Sequence, residues 1–265
     1  MESARKNEVS KSGIQRLIRN FAEEFIRFLK NSKYAVVLTG AGVSTDSGIP
    51  DFRSENGLYS KYNVNKVFDV DYFLRDPKYF YNFAKEEILK MLMAEPSATH
   101  YMLAKLEKES LIKAIITQNI DLLHQKAGSQ NVIELHGNVS KAHCIQCKKE
   151  YDFIEILNGP QNTFECKTCG DLIKPDIVFF GESLPENELK KALYLVNSCD
   201  LIIVMGSSLV VHPAASLPIY ATNKGAKFLI INRGKTALDS ISTRKYDCNL
   251  NEFSKTVLNL LSQEG

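Results

Sequence analysis

Four cysteines, Cys144, Cys147, Cys166 and Cys169, stand as two C-x-x-C pairs separated by eighteen residues. Thiolates at that spacing complete a tetrahedral zinc site and leave no coordination position for water or substrate. The chemistry implied is structural, a metal holding up a segment that has little core of its own. A redox role is the weaker reading, because two matched pairs exceed what a thioredoxin-like motif needs. His143 adjoins the first pair and is not taken as a ligand.

A second group suits a nucleotide. Tyr34–Thr39 is a short β-branched apolar run that stops at Gly40-Ala41-Gly42-Val43-Ser44. Glycines directly after a buried strand permit a tight turn and let backbone N–H groups approach a pyrophosphate. Thr45 replaces the third glycine of the usual fingerprint, and no acidic residue closes a second strand at the expected distance. On the two glycines alone, a plain strand-ending turn is as good a reading as a cofactor site. The polar loop that continues to Arg53 has no helical period, and a loop of that length commonly covers a ligand. Arg53 suits a phosphate and Phe52 a flat ring.

The third group lies at strand ends. Ile115-Ile116-Thr117 runs into Gln118-Asn119-Ile120-Asp121, and Val132–Leu135 runs into His136-Gly137. In doubly wound sheets ligands bind outside the carboxyl ends of strands, so Gln118, Asn119, Asp121 and His136 converge on one crevice with the glycine loop. Amide, carboxylate and imidazole together suit ribose hydroxyls and a general base near neutral pH. His124 reads as structural, and His100 and His212 carry no assigned role.

The elements that must position these groups alternate. Apolar runs at Tyr34–Thr39, Ala114–Thr117, Val132–Leu135, Ile177–Phe180, Leu201–Met205 and Phe228–Ile231 predict six strands. Helical spacing predicts helices over Ile14–Leu29, Pro77–Met93, Ala98–Glu109, Glu186–Asn197, His212–Asn223 and Asn251–Leu261. The pattern implies an α/β fold with a parallel sheet covered by helices on both faces. Residues 54–95, helical and aromatic, and residues 138–174, with four of the six cysteines, break the rhythm. Both are expected to be insertions forming a smaller module, leaving 1–53, 96–137 and 175–265 as the main domain.

Composition narrows the function. The 265 residues are 44% hydrophobic and 24% charged, with 33 basic and 31 acidic side chains. A net charge of +2 supplies no global field to attract nucleic acid or an anionic membrane. The mixed charges around the cysteine pairs read as a solvated surface. The N-terminus has no apolar h-region and no run approaches a membrane span, so a cytoplasmic, reducing setting is expected. Cys199 and Cys248 are left as ordinary thiols.

Taken together, Gly40–Arg53, Thr117–Asp121, His136-Gly137, the cysteine pairs, Pro175–Glu182, Gly206–Leu209 and Ile231-Asn232 resemble the sirtuins, NAD-dependent protein-lysine deacylases. The resemblance runs from about residue 34 to residue 250. It implies a Rossmann-like domain beside a small module made of a helical part and a zinc ribbon, with NAD and an acyl-lysine meeting between them. Ala41, Gly42 and the segment to Thr45 would face the pyrophosphate, and Phe52 and Arg53 would order over the cofactor. Gln118 and Asn119 would meet the nicotinamide ribose, and Ile120 and Asp121 the carboxamide pocket. Gly206, Ser207, Ser208 and Asn232 would hold the adenosine half, with Asp247 and Cys248 closing over the adenine.

The chemistry so implied begins with attack of the acyl oxygen on the ribose as nicotinamide leaves. His136 then serves as general base through the ribose hydroxyls, with Asn119 also counted as catalytic, giving free lysine, nicotinamide and O-acyl-ADP-ribose while zinc stays structural. Substrate peptide would add as a strand between Val178-Phe179-Phe180-Gly181 and the Leu209–Val211 segment. Sirtuins that prefer succinyl- or malonyl-lysine carry a tyrosine and an arginine where this chain has Ala84 and Glu87, so acidic acyl groups are disfavoured and apolar ones expected. The glycine-loop motif looks most like the undifferentiated bacterial branch. Acetylated proteins are therefore the expected partners, with neither membrane nor direct nucleic-acid binding. Protein mono-ADP-ribosyl transfer and a non-catalytic zinc-ribbon binding module are the alternatives.

Overall fold

The computed structural model describes residues 11–52, 54–55, 57–160 and 164–263. Nine strands occur among them: β1 (Ala35–Thr39), β2 (Ala114–Thr117), β3 (Val132–Glu134), β4 (Gly137–Cys144), β5 (Glu150–Asp152), β6 (Ile173–Ile177), β7 (Leu201–Met205), β8 (Lys227–Ile231) and β9 (Arg244–Tyr246). Six form one parallel sheet in the order β3-β2-β1-β7-β8-β9, and β5-β4-β6 form a separate antiparallel sheet. β1 and β7 are central and buried along their whole length, which is why their sequences are unbroken apolar runs rather than alternating ones.

One expected strand belongs elsewhere. Ile177–Phe180 does not join the parallel sheet. Its first residue ends β6, which pairs antiparallel with β4 through Cys144↔Ile173 and Gly137↔Ile177. The sixth parallel strand is instead β9, whose sequence Arg-Lys-Tyr is too short and too polar to register as an apolar run. An edge strand needs only one covered side, so it tolerates charges that a central strand would not.

Helices cover both faces. Lys11–Lys30, Ala98–Lys108 and Leu250–Gln263 share one core with β1, β7 and β8, including Phe25, Leu29, Met102 and Phe253. Glu186–Ser198 and Leu217–Asn223 pack on the other face around Val196, Leu217 and Phe228. The helix expected from His212 begins at Leu217, after a 3-10 turn over Ala214–Ser216. Pro218 lacks an N–H and fits only the first turn of a helix, so it sets that start. The helix expected over Pro77–Met93 starts at Pro77 but relaxes into a π turn over Ala84–Ile88 and ends at Leu92.

A third core lies apart from the sheet and joins the helical stretch to the cysteine-bearing one. Phe68, Phe73, Phe80, Phe83 and Ile88 pack there with Val139, Phe153, Ile173 and Phe179. Phe179 meets Phe73 edge-on at 5.2 Å between centroids and Phe80 at 5.0 Å. Such pairs add about 0.5–1.5 kcal/mol each beyond area burial.

Candidate active site

Register brings the site together. The last residues of the parallel strands align in one row, Glu134, Thr117, Thr39, Met205, Ile231 and Tyr246. The residues that follow therefore emerge along one edge. Gly40 follows β1, Gln118 follows β2, His136 follows β3 by one residue, Gly206 follows β7, Asn232 follows β8 and Asp247 follows β9. Chain order reverses between β1 and β7, because β2 and β3 extend to one side and β8 and β9 to the other. That switch point is where an open α/β sheet leaves its ligand crevice.

The glycines at the switch serve backbone packing. Gly42 N–H donates to the Gly206 oxygen at 2.9 Å and Gly40 N–H to Met205 oxygen at 3.1 Å. A Cβ on Gly42 would lie 2.7 Å from Gly206 Cα, and one on Gly206, whose φ is +63°, would lie 2.6 Å from Val43 nitrogen. The two loops thus interlock with no room for side chains. Ala41–Val43 and Thr45–Ser47 then form successive 3-10 turns, with Gly48 at φ +84° ending the second. The expected irregular loop is therefore a tight double turn at its start. Phe52 packs against the third core, near Phe68 at 6.3 Å between centroids. Arg53 lies outside the described residues.

His136 is oriented by the end of the neighbouring strand, β2. Its Nδ1 lies 2.9 Å from the Gln118 main-chain oxygen, and a carbonyl can only accept, so Nδ1 carries the proton and Nε2 the free lone pair. Burial holds its pKa below the ordinary histidine value, with the Gln118 bond acting in the opposite sense. The imidazole is thus a neutral base at pH 7. The Gln118 side-chain amide donates to Ser207 Oγ at 3.0 Å, tying the β2 end to the β7 loop.

Asn119 and Asp121 meet at Ser44. The Ser44 hydroxyl donates to Asp121 Oδ2 at 2.6 Å and accepts from Asn119 Nδ2 at 3.1 Å. The other Asp121 oxygen accepts the Leu123 N–H at 3.0 Å. Burial raises the Asp121 pKa, and the Ser44 and Leu123 bonds pull the other way. Ile120 holds the same loop through its oxygen, which accepts from Val139 N–H at 3.2 Å.

Two histidines lie under this group, His100, to which the sequence assigned no role, and His124, which it read as structural. His100 Nδ1 accepts the Ser97 N–H at 3.0 Å, which leaves its proton on Nε2, 3.4 Å from Ser44 Oγ. Ser97 in turn donates to Val43 oxygen at 2.8 Å. His124 Nε2 lies 2.9 Å from Thr39 Oγ1, which donates to Thr117 Oγ1, and Thr117 Oγ1 accepts the Asn119 N–H. Burial pushes the His100 pKa down to about 4 and the His124 pKa well below its usual value. The available signal was Ser97 three residues before His100, the spacing of a helix capping box with histidine in the glutamine position.

At the other end, Asn232 Nδ2 caps the Arg233 oxygen, and exposed Asp247 accepts the Gly234 N–H at 3.1 Å. Ser208 oxygen accepts from Ala237 N–H. The Cys248 side chain packs against the first core, and burial pushes its thiol up to about 12.

The segment expected to take a peptide adjoins His136. Val178 N–H donates to His136 oxygen at 2.9 Å, and Phe180 pairs with Phe68 and Val70 through its N–H and oxygen. Gly181 follows with φ +93°. In the other segment expected to take the peptide, Leu209 is buried in the second core while Val210, between Leu209 and Val211, is 47% exposed. Phe179 and Leu209 thus belong to separate cores, while Phe180 and Val210 are exposed.

The cysteine quartet stands apart from these groups. All four Sγ atoms lie within 4.8 Å of one another, with Cys144–Cys169 at 3.4 Å and Cys147–Cys166 at 3.5 Å. Tetrahedral zinc with bonds of about 2.3 Å places its sulfurs roughly 3.8 Å apart, so the donor set fits. Cys147 N–H and Thr168 N–H donate to Cys144 and Cys166 sulfur, as expected around thiolates. His143 is turned to Asp176 at 2.7 Å and takes no part.

Residues 40–213 match the Sir2 family model. An NAD-dependent protein deacetylase of Thermotoga maritima is 50% identical, over 89% of this chain and 96% of its own length. An NAD-dependent protein deacylase 2 of Archaeoglobus fulgidus is 46% identical, over 84% and 88%. A solved Sir2 structure with deacetylated p53 peptide and 3′-O-acetyl-ADP-ribose superposes with a TM-score of 0.87, at 49% identity, covering 90% of this chain and 97% of that one. Another, with p53 peptide and NAD+, gives 0.85 at 47% identity, covering 91% and 98%. With the dinucleotide-type strand order, the interlocked glycine loops and the four-thiolate cluster already in place, these likenesses identify the chain as a member of the Sir2 family.

Proposed function

We propose that the protein removes acetyl, and longer apolar acyl, groups from protein lysines with consumption of NAD. The reading is carried by the neutral imidazole of His136, held with Nε2 unprotonated at the row of strand ends. When bound, NAD supplies the ADP-ribose that accepts the acyl group. His136 Nε2 takes the proton from the attacking ribose hydroxyl. Gln118 and Asn119 meet the nicotinamide ribose and Ile120 and Asp121 the carboxamide pocket, Ser44 joining Asn119 to Asp121 and the Gln118 amide bonding Ser207. Ala41, Gly42 and Thr45 receive the pyrophosphate, with Phe52 and Arg53 over the cofactor. Gly206, Ser207, Ser208 and Asn232 serve the adenosine half, with Asp247 and Cys248 over the adenine.

The peptide adds as a strand beside Val178–Gly181 and Leu209–Val211, a mode that reads backbone more than side chains. The shared third core supports treating residues 54–95 and 138–174 as one smaller body, extended through β6 and on to Phe179. The expectation that acidic acyl groups are disfavoured is kept, since Glu87, a carboxylate bonded by the Tyr62 hydroxyl at 2.9 Å, supplies no cation to pair with them. No helix among the described residues is long and apolar enough to cross a membrane. We further infer that the protein works in the cytoplasm and binds no nucleic acid directly.

The test is NAD-dependent nicotinamide release across acetyl-, butyryl-, succinyl- and long-chain-acyl-lysine peptides, with mass spectrometry of the peptide. Loss of acyl from lysine, with succinyl the poorest substrate, is expected. A gain of ADP-ribose on protein instead would favour transferase chemistry, and salt-sensitive nucleic-acid binding without NAD turnover would favour a binding module.

A further inference from the structure

Lys174 and Glu182 form an ion pair that no step above uses. Lys174 Nζ is 2.9 Å from Glu182 Oε2, and the two side chains are 14% and 28% exposed. The ammonium has three donors, and each is committed. One goes to that carboxylate, one to Ile177 oxygen at 2.7 Å and one to Pro175 oxygen at 3.2 Å. Its charge also lies 4.3 Å from the centre of the Phe179 ring. The same Glu182 Oε2 accepts the Phe179 N–H at 2.7 Å, and Glu182 N–H returns to Phe179 oxygen at 3.0 Å.

One ion pair therefore ties both ends of the Ile177–Glu182 segment. Between the tied residues, Val178 N–H bonds the His136 oxygen and Phe180 N–H bonds the Phe68 oxygen. The segment is thereby drawn against the catalytic strand end on one side and the third core on the other. Surface lysine–glutamate pairs contribute little, but this one is mostly buried and shares its oxygen with a backbone donor. Burial lowers the Lys174 pKa and Glu182 raises it, as a desolvated but matched pair requires.

We propose that Lys174 and Glu182 are positioning residues that preset the Val178–Gly181 backbone for strand addition by the substrate peptide. This rests on the deacylase reading. A preset edge spares the peptide the ordering cost of the loop, so the clamp acts on peptide affinity. Among the described residues, neither side chain hydrogen-bonds to the NAD-side residues Gly42, Gln118 or Ser207.

The experiment is steady-state kinetics with an acetyl-lysine peptide at saturating NAD, and with NAD varied at saturating peptide. Lys174→Met is expected to raise the peptide KM by about tenfold while NAD KM and kcat stay within about twofold, and Lys174→Arg to restore the peptide KM. Because a lone buried carboxylate destabilises the fold, Lys174→Met/Glu182→Leu is measured alongside. Replacing both charges should recover Tm, yet the Ile177 oxygen and Phe179 N–H remain untied, so the peptide KM should stay high. A double variant that recovers both Tm and peptide KM would reduce the pair to a stabilising contact and overturn the proposal. An unchanged peptide KM, or an equal rise in both KM values, would also overturn it. A wild-type protein with no deacylation at all would overturn the deacylase reading and the clamp with it.

Discussion

The Nδ1 of His136 lies 2.9 Å from the main-chain oxygen of Gln118, so the end of one parallel strand sets the tautomer of a base at the end of its neighbour. His136→Ala should leave folding intact and lower turnover by about 10²–10⁴-fold. Because burial lowers the pKa, the protonated, inactive form accumulates only on the acid side of the usual value near 6.5. The rate should be level from pH 7 to 8 and fall as pH drops below 6.5. A limb centred above pH 7 would contradict a buried neutral imidazole.

Gly206 and Gly42 interlock so closely that their tolerance can be graded. Gly206→Ala combines a positive φ with a contact of 2.6 Å to backbone nitrogen, and should destabilise by about 3 kcal/mol or more. Gly48→Ala also needs φ +84° but meets nothing within 4 Å, and should cost only about 1–2 kcal/mol. Urea unfolding of both variants measures the difference. NAD binding should weaken in the first, since the displaced loops carry the cofactor residues.

Protonation of buried His100 should make the fold acid-sensitive. A folded pKa near 4 against a reference of 6.5 means the unfolded chain takes the proton first as pH falls. The stability is fully present above pH 6.5 and is lost progressively toward pH 4, in total about 3 kcal/mol. Asp121 works in the opposite sense, because its raised pKa lets the folded state gain a proton sooner. His100→Gln keeps a capping acceptor for Ser97 N–H, and its Tm should fall less than the wild type's between pH 6.5 and 4.

The cysteine quartet should bind one equivalent of zinc per chain. Cys144→Ser, or removal of metal by a chelator, should unfold the third core first, since Cys144 and Cys166 are buried within it. A loss of more than about 4 kcal/mol is expected, the range of a lost structural metal. A metal-free protein with unchanged Tm would remove zinc from the account.

Much was legible in the residues themselves, where the signal is local in the chain. The zinc ligands follow from four side chains of one chemistry at short spacing, and the central strands from apolar runs that only a sheet buried on both faces requires. His136, Gln118 and Asn119 could be placed because each directly follows such a run. What tertiary structure alone decided depends on partners distant in sequence. Ile177–Phe180 and Arg244–Tyr246 exchanged roles because β-pairing is settled by which neighbours remain uncovered, not by hydrophobicity. Ser44, His100 and His124 are unremarkable residues until β1, β2 and the helix at Ala98 bring them within hydrogen-bonding reach beneath Asn119 and Asp121. The pairing of Lys174 with Glu182 is likewise invisible in spacing, since it exists only where the chain folds back at Phe179.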